Sequence, residues 1–187
     1  MANLTPEDRK ALVALARSAI AAELQPAAAI ERPQVLSEAL REKRGCFVTL
    51  HKKGQLRGCI GTIEPVRSLV ENVEENACNA AFRDPRFPAL TADELPLVDL
   101  EVSVLTVPEI LAYKDPVELK QKLKPGSHGV IVSRGWHSAT FLPQVWDQLP
   151  DPETFLAHLC RKAGMDPDCW QAKDVIVKVY RAEYFSE

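Results

Sequence analysis

The spacing of apolar residues along the chain predicts three long helices and two short ones. Within residues 5–24 the apolar side chains recur every three or four positions, as they do in a helix that buries one face. Thr5 and Pro6 suit the start of this helix, because Thr can cap it and Pro lacks an amide hydrogen that would stay unpaired there. The same reasoning predicts further helices at residues 37–44, 67–82, 115–123 and 151–163.

Alternation of apolar and polar residues predicts the strands. It is clearest over residues 98–106, where every second side chain is apolar. Two hairpins are predicted as well, one from residues 46–51 and 56–63 and one from residues 130–132 and 139–142, followed by a last strand at residues 175–180. Hairpins mixed with helices, without a strict βαβ repeat, predict an α+β fold with a mainly antiparallel sheet and flanking helices.

Length and composition narrow the class of protein. The 187 residues are 46% apolar and 26% charged, which suits one domain, or a main domain with a lobe. The net charge of −3 gives no basic footprint for non-specific nucleic-acid binding. No apolar run approaches the ~18 residues of a membrane span, and no secretory signal is visible. The odd count of five cysteines does not predict a disulfide framework, so we expect a reducing, cytoplasmic location.

The first candidate site is the hexapeptide Leu56-Arg57-Gly58-Cys59-Ile60-Gly61. A regular strand places Arg57 and Cys59 on one face, roughly 7 Å apart, and a nearby guanidinium favours the thiolate of a catalytic cysteine. Gly58 and Gly61 flank that cysteine, and glycine within a strand often marks the close approach of a ligand or another chain segment. The alternative is a buried structural cysteine beside a bulge.

The second candidate lies in the proline-rich loop after the helix at residues 67–82. Pro85 favours an extended Asp84, and we expect Phe87 to anchor the loop in the core. That arrangement displays Asp84 and Arg86 as binding residues on a stiff loop. The alternative is an Asp–Arg pair that only ties down the loop.

Two isolated residues complete the candidate site. His128, in the turn Pro125-Gly126-Ser127-His128-Gly129, could act as a base for Cys59, or be a turn histidine without a chemical role. Glu101 projects from the polar face of its strand, where it is a site candidate if that face is covered and a solvated residue if it is not. No metal-binding or nucleotide-binding spacing is present, so we expect neither a metal nor a cofactor.

Together these stretches resemble the AMMECR family (AmmeMemoRadiSam system protein A). The resemblance covers most of the chain from about residue 45 to the C-terminus. The stretches that carry it, in the family's order, are the hexapeptide, residues 80–88, residues 102–106 with Pro108-Glu109, residues 128–131, residues 140–146 and residues 155–164.

The resemblance implies one AMMECR-type domain over residues 1–187, with a larger and a smaller subdomain and a cleft between them. It implies a ligand or substrate cleft around the hexapeptide, and a possible modification pathway with Memo-like and radical SAM partners. Eukaryotic members of the family have been suggested to act in transcription or RNA processing.

Two functions stay open. In one, the protein is an enzyme component that binds a small molecule or a nucleotide-like ligand through Arg57 and Arg86. Cys59 is then a nucleophile or a contact, and Asp84, Glu101 or His128 is the acid–base group. In the other, it is a non-catalytic adaptor that uses the same arginines to dock protein or nucleic acid.

Overall fold

The structure, a computed structural model, describes residues 3–25 and 27–187 of the chain. Contacts between residues divide it into two units, Met1–Val107 with Glu183–Glu187 and, between these two segments, Pro108–Ala182. We call them the first and the second unit. The candidate residues of the hexapeptide, the proline-rich loop and Glu101 lie in the first unit, and His128 lies in the second.

The described residues form α-helices and strands, numbered here in chain order. The helices are α1 (Pro6–Leu24), α2 (Glu38–Arg41), α3 (Leu69–Phe82), α4 (Pro116–Lys122) and α5 (Pro152–Lys162). The strands are β1 (Cys46–Lys52), β2 (Gln55–Thr62), β3 (Val98–Leu105), β4 (Glu109–Ile110), β5 (Gly129–Arg134), β6 (His137–Phe141), β7 (Ile176–Tyr180) and β8 (Ala182–Ser186). Helices mixed with antiparallel hairpins confirm the predicted α+β class.

Capping residues set where the two long helices of the first unit begin. The Asp8 amide donates to the Thr5 hydroxyl over 3.1 Å, and the Asp8 carboxylate accepts from the Thr5 amide over 2.9 Å. Ser68 and Glu71 make the same reciprocal pair before α3. Each pair satisfies amides that the first turn of a helix leaves unpaired. The cap at Ser68 explains why α3 starts two residues later than the apolar spacing predicts.

A four-stranded sheet in the order β2-β1-β3-β8 forms the frame of the first unit. Strand β1 pairs antiparallel with both β2 and β3. The apolar side chains of β1 and β3 pack on one face of this sheet against the apolar stripes of α1 and α3. The fully buried members of this core include Leu12, Leu15, Ile20, Val48, Leu50, Val73, Ala77, Leu100 and Val102. The opposite face carries Thr49 of β1, and we call it the Thr49 face.

The second unit is built around a sheet in the order β4-β7-β5-β6. Its core centres on Trp146 and Phe155, whose rings stack with centroids 3.7 Å apart. Val130 and Val132 of β5 pack on this core. Neither β4 nor β8 is predicted by the sequence pattern, and the division of the strands into two sheets was not expected.

A disulfide joins Cys160, in the last turns of α5, to Cys169. The odd count of five cysteines did not predict a disulfide framework, and this single pair was not expected. An odd count leaves room for one pair, and Cys46, Cys59 and Cys78 remain free. Over residues 3–25 and 27–187, no helix has the length and apolar character that a membrane crossing requires.

Candidate functional site

A β-bulge lies inside the hexapeptide. Gly58 is paired with Leu50 and Leu56 with His51, so Arg57 is an extra residue in β2 with no partner on β1. The expectation that Arg57 and Cys59 share a face rested on strict alternation. The bulge interrupts that alternation, so strand geometry no longer supports activation of the thiol by Arg57, and that role stays a prediction.

The two glycines of the hexapeptide allow close packing of the protein's own chain. A Cβ on Gly58 would lie 2.2 Å from the carbonyl oxygen of Ala80, near the end of α3. A Cβ on Gly61 would lie 2.2 Å from the Phe47 ring and 2.5 Å from the Cys46 carbonyl oxygen. Both positions therefore exclude larger residues, and the segments that approach β2 are α3 and β1.

The proline-rich loop holds both peptide groups of Cys59. The Cys59 amide donates to Oδ2 of Asp84 over 2.9 Å, and Nη2 of Arg86 donates to the Cys59 carbonyl over 3.2 Å. Asp84 also accepts from Nε and Nη2 of Arg86, over 2.9 and 2.6 Å. The backbone position of the cysteine is thus fixed by side chains that follow α3.

The side chains of the proline-rich loop are buried in a different pattern from the one predicted. Asp84 is only 3% exposed, so it is not displayed, while the Arg86 side chain is 54% exposed. Phe87 is half-buried, and the fully packed residue of the loop is Leu90. The Arg86 guanidinium, with help from the Cys59 amide, holds the pKa of Asp84 well below its usual range. Asp84 therefore stays ionised at neutral pH and has no proton to donate.

The Cys59 thiol lies in a row of polar residues across three strands. Thr49 of β1 is paired with Cys59 on one side and with Glu101 of β3 on the other. The Thr49 hydroxyl donates to the Cys59 sulfur over 3.2 Å. Thr49 is buried, while Cys59 and Glu101 are half-buried on the same face. The row therefore places a hydroxyl donor and a carboxylate on the same face as the thiol.

Arg57 takes part in a separate ionic cluster beside the bulge. Its Nη2 and Nε donate to the Glu94 carboxylate over 2.9 and 3.3 Å, and Lys52 Nζ donates to the same carboxylate over 2.7 Å. The two cations, Arg57 first, lower the pKa of Glu94 to about 2. The Phe87 ring lies near both arginines, with its centroid 6.0 Å from Cζ of Arg57 and 5.5 Å from Cζ of Arg86.

His128 has the contacts of a turn residue in the second unit. Its Nδ1 accepts from the Lys124 amide over 3.3 Å, and its carbonyl accepts from the Trp146 indole over 2.7 Å. Burial, followed by the charges of Lys124 and Arg181, lowers the pKa of His128. Its role as a base for Cys59 stays a prediction.

The structure adds Thr49, Lys52 and Glu94 to the neighbourhood of the hexapeptide. Thr49 follows from the predicted hairpin once the register is known, because the turn at residues 52–55 fixes which residues face each other. No pattern in the sequence indicated that Glu94 belongs to this neighbourhood, because it contacts Arg57 from a loop that is distant along the chain. Among the residues that the structure describes, no cluster of three or more His, Cys, Asp or Glu is placed to hold a metal ion.

Comparison with known proteins identifies the family of this chain. The AMMECR1 family model matches residues 13–185 of the chain. The chain belongs to the AMMECR1 family. An AMMECR1 relative in Methanothermobacter thermautotrophicus is 42% identical over 187 residues, covering all of this chain and 97% of the relative. Another in Methanocaldococcus jannaschii is 45% identical over 157 residues, covering 80% of this chain and 76% of the relative.

The AMMECR1 fold is also seen in a solved structure. The crystal structure of an uncharacterized protein from Pyrococcus horikoshii superposes with a TM-score of 0.89 at 42% identity. The match covers 98% of this chain and 93% of the other. It confirms the fold and the family resemblance that the hexapeptide and the other ordered stretches indicated.

Proposed function

We propose that this AMMECR1 protein binds a small-molecule or nucleotide-like substrate at the Thr49 face, with Cys59 as the nucleophile. The observation that carries the proposal is the hydrogen bond from the Thr49 hydroxyl to the Cys59 sulfur. A nucleophilic thiol needs groups that hold its sulfur and its backbone in place for attack. The Thr49 hydroxyl bonds the sulfur, and the Asp84–Arg86 pair holds the backbone.

The other free cysteines lack this environment. Cys46 is fully buried, and burial raises the pKa of its thiol to about 12. Burial also raises the pKa of the Cys78 thiol. Both groups are therefore protonated at neutral pH, which makes them internal comparators for the reactivity of Cys59.

The remaining residues of the site take distinct roles in the proposal. Glu101, on the same row as the thiol, takes up the proton that the thiol releases as the sulfur adds to a carbonyl carbon of the substrate, and the π electron pair of that C=O bond moves to its oxygen. Asp84 is a positioning residue, because its carboxylate is ionised and committed to Arg86 and the Cys59 amide. Arg86 directs Nε and Nη2 at Asp84, and we assign its Nη1 to an anionic group of the substrate.

The proposal also includes the protein partners and the cellular location of this activity. The family resemblance associates prokaryotic members with a Memo-like protein and a radical SAM enzyme. We propose that the chain works with such partners in the cytoplasm, as one component of a modification pathway. A substrate handed between proteins suits a thiol that is half-exposed on a sheet face rather than enclosed in the core.

Alkylation of individual cysteines tests the nucleophile. Limiting iodoacetamide at neutral pH, followed by peptide mass spectrometry, gives a rate for each free thiol. We expect Cys59 to react faster than Cys78 and much faster than Cys46. The proposal fails if Cys59 reacts no faster than Cys78, because a thiol without enhanced reactivity gives no support for a nucleophile.

A substrate screen tests the enzyme itself. The protein and its Cys59→Ser variant are incubated with the same metabolite mixture, and product formation is followed by mass spectrometry. We expect turnover by the unchanged protein, none by Cys59→Ser, and reduced turnover by Glu101→Gln. Equal turnover by the unchanged protein and Cys59→Ser would remove the cysteine from the mechanism.

A non-catalytic adaptor is the second candidate, and a different observation favours it. Trp136 is fully exposed at the turn between β5 and β6. Exposed tryptophan is a common anchor of protein interfaces, and this one lies in the second unit, away from the hexapeptide in sequence. Loss of partner capture in Trp136→Ala, together with unchanged capture in Cys59→Ser, would favour the adaptor.

A further inference from the structure

The turn between β1 and β2 has an unusual residue at its tip. Lys52 and Gln55 are paired, so the turn consists of Lys53 and Gly54, with φ of +53° and +74°. Positive φ at both positions defines a type I′ turn, for which Asn-Gly is the favoured sequence. Within the described residues, Lys53 is the sole non-glycine residue with positive φ. A lysine held in this strained conformation calls for a functional reason.

A cavity beside this turn is lined by cations. Its volume is about 320 Å³, and its lining residues are Lys52, Lys53, Gln55, Leu56 and Arg57. The carboxylate bound to this cluster is Glu94, which pairs with Lys52 and Arg57. One negative charge against three positive charges leaves the cluster with a positive surplus. This surplus of positive charge favours the binding of an anion.

Arg57 provides an independent sign of a ligand site. Its side chain is 10% exposed, and its Nη1 is buried with no hydrogen-bond partner. Buried donors in folded proteins are nearly always paired, so an orphaned guanidinium nitrogen needs an acceptor. Glu94 fixes the other nitrogens of the group, which holds the orientation of Nη1 before any ligand arrives.

We propose that this cavity binds the phosphate group of a small phosphorylated molecule. Arg57 Nη1 and the ammonium groups of Lys52 and Lys53 donate to the phosphate oxygens. A phosphate dianion matches the surplus positive charge, and planar guanidinium donors suit its oxygens. The volume of the cavity falls at the lower end of the range for small-molecule sites, about 300–1,000 Å³.

The inference goes beyond the proposed function, because the cavity is lined by the ionic cluster of Arg57, which is separate from the row that carries the Cys59 thiol. Phosphate binding itself needs no reaction at Cys59. Binding and thiol reactivity can therefore be measured separately, and each can fail alone.

The experiment is a titration of ¹⁵N-labelled protein with inorganic phosphate, followed by NMR at constant ionic strength. Parallel arms use adenosine monophosphate, ribose 5-phosphate and adenosine, which separate a nucleotide from a sugar phosphate and from a ligand without phosphate. We expect saturable shifts at the amides of Lys53 and Gly54 and at the side chain of Arg57. We expect none with adenosine.

Lys53→Asn is the decisive variant, because it removes the charge and places the favoured residue in the turn. We expect its phosphate affinity to fall about three- to tenfold, while its thermal midpoint stays equal or rises. Lys173→Asn is the matched control, since it removes one exposed charge from the second unit and should leave affinity unchanged.

The outcomes separate the two proposals. Local saturable shifts that weaken in Lys53→Asn support the phosphate site, whatever the alkylation rate of Cys59. Shifts that do not saturate, or an equal loss of affinity in Lys53→Asn and Lys173→Asn, overturn it. A reactive Cys59 in protein that does not bind phosphate would leave the nucleophile and remove only the phosphate site.

Discussion

The amide of Cys59 and the carboxylate of Asp84 are joined by a hydrogen bond of 2.9 Å that spans 25 residues of chain. It connects the strand that carries the thiol to the loop that follows α3. The carboxylate is buried and also binds Arg86. This one contact therefore couples the position of the thiol to the stability of the first unit.

Asp84→Asn should weaken the fold at neutral pH. Asn keeps one acceptor oxygen but loses the charge that pairs with Arg86, and the half-exposed arginine limits the loss through solvent screening. We expect the free energy of unfolding to fall by about 1–3 kcal/mol, measured by urea denaturation. Asp93→Asn, at an exposed position nine residues along the chain, is the matched control and should change little.

The effect of Asp84→Asn should depend on pH. Arg86 lowers the pKa of Asp84 in the folded protein. Near the ordinary Asp pKa of about 3.9, the folded state therefore binds fewer protons than the unfolded state. The stabilisation is complete above that pH and is lost as the pH falls through the folded pKa. Urea curves at neutral pH and at about pH 3 should show the two proteins converging in acid. A constant difference between them would contradict the ion pair.

Gly58→Ala should disrupt the packing of β2 on α3. The new Cβ would meet the Ala80 carbonyl oxygen at 2.2 Å, and a main-chain atom cannot rotate away as a side chain can. We expect a loss of about 2–3 kcal/mol in the free energy of unfolding, or expression of unfolded protein.

Gly164→Ala is the control for this substitution. Gly164 has a φ of +72°, and a Cβ there would find its nearest heavy atom at 3.7 Å. This variant reports the strain of a left-handed residue without a clash, about 1 kcal/mol. Equal losses in the two variants would show that β2 and α3 move apart at a cost of only about 1 kcal/mol, which would contradict the tight packing at Gly58.

The hydrophobic pattern predicted most of the fold, because it reports burial directly. The stripe of α1 and the alternation of β3 both follow from which side chains enter the core of the first unit. Strand β4 escaped prediction because a strand of two residues is too short to show alternation. The pairing of Cys160 with Cys169 was missed because cysteine counts do not show which thiols approach each other.

The candidate site was less predictable, because it depends on contacts between distant segments. A single extra residue at Arg57 changed the faces of β2, and nothing in the apolar pattern marks a bulge of this kind. Asp84 was expected to be displayed, but its bonds to the Cys59 amide and to Arg86 bury it. The sequence identified the segments of the site; tertiary packing decided which atoms meet.

Thr49→Val should slow the alkylation of Cys59. Valine keeps the shape of threonine but cannot donate to sulfur, so the Cys59 sulfur loses its hydrogen bond. We expect the rate at neutral pH to fall about three- to tenfold, since a hydrogen bond contributes about 1 kcal/mol. The measurement is the mass-spectrometric rate at Cys59, with urea denaturation of the same samples to confirm that the fold is intact.

Thr49→Ser is the matched control, because it retains the hydroxyl donor. Its Cys59 should react at nearly the rate found in the unchanged protein. Similar slowing in both variants would indicate that the methyl group of Thr49 matters through packing, and the donor role would be lost.

The disulfide between Cys160 and Cys169 should stabilise the second unit. It closes a loop with a sequence separation of 9, which predicts about 2–3 kcal/mol from the reduced entropy of the unfolded chain. Adding dithiothreitol should lower the free energy of unfolding of the unchanged protein by that amount. The double variant Cys160→Ser and Cys169→Ser should start from the lower value and not respond, because its remaining cysteines are free. If dithiothreitol changes neither protein, the two sulfurs are not bonded in solution.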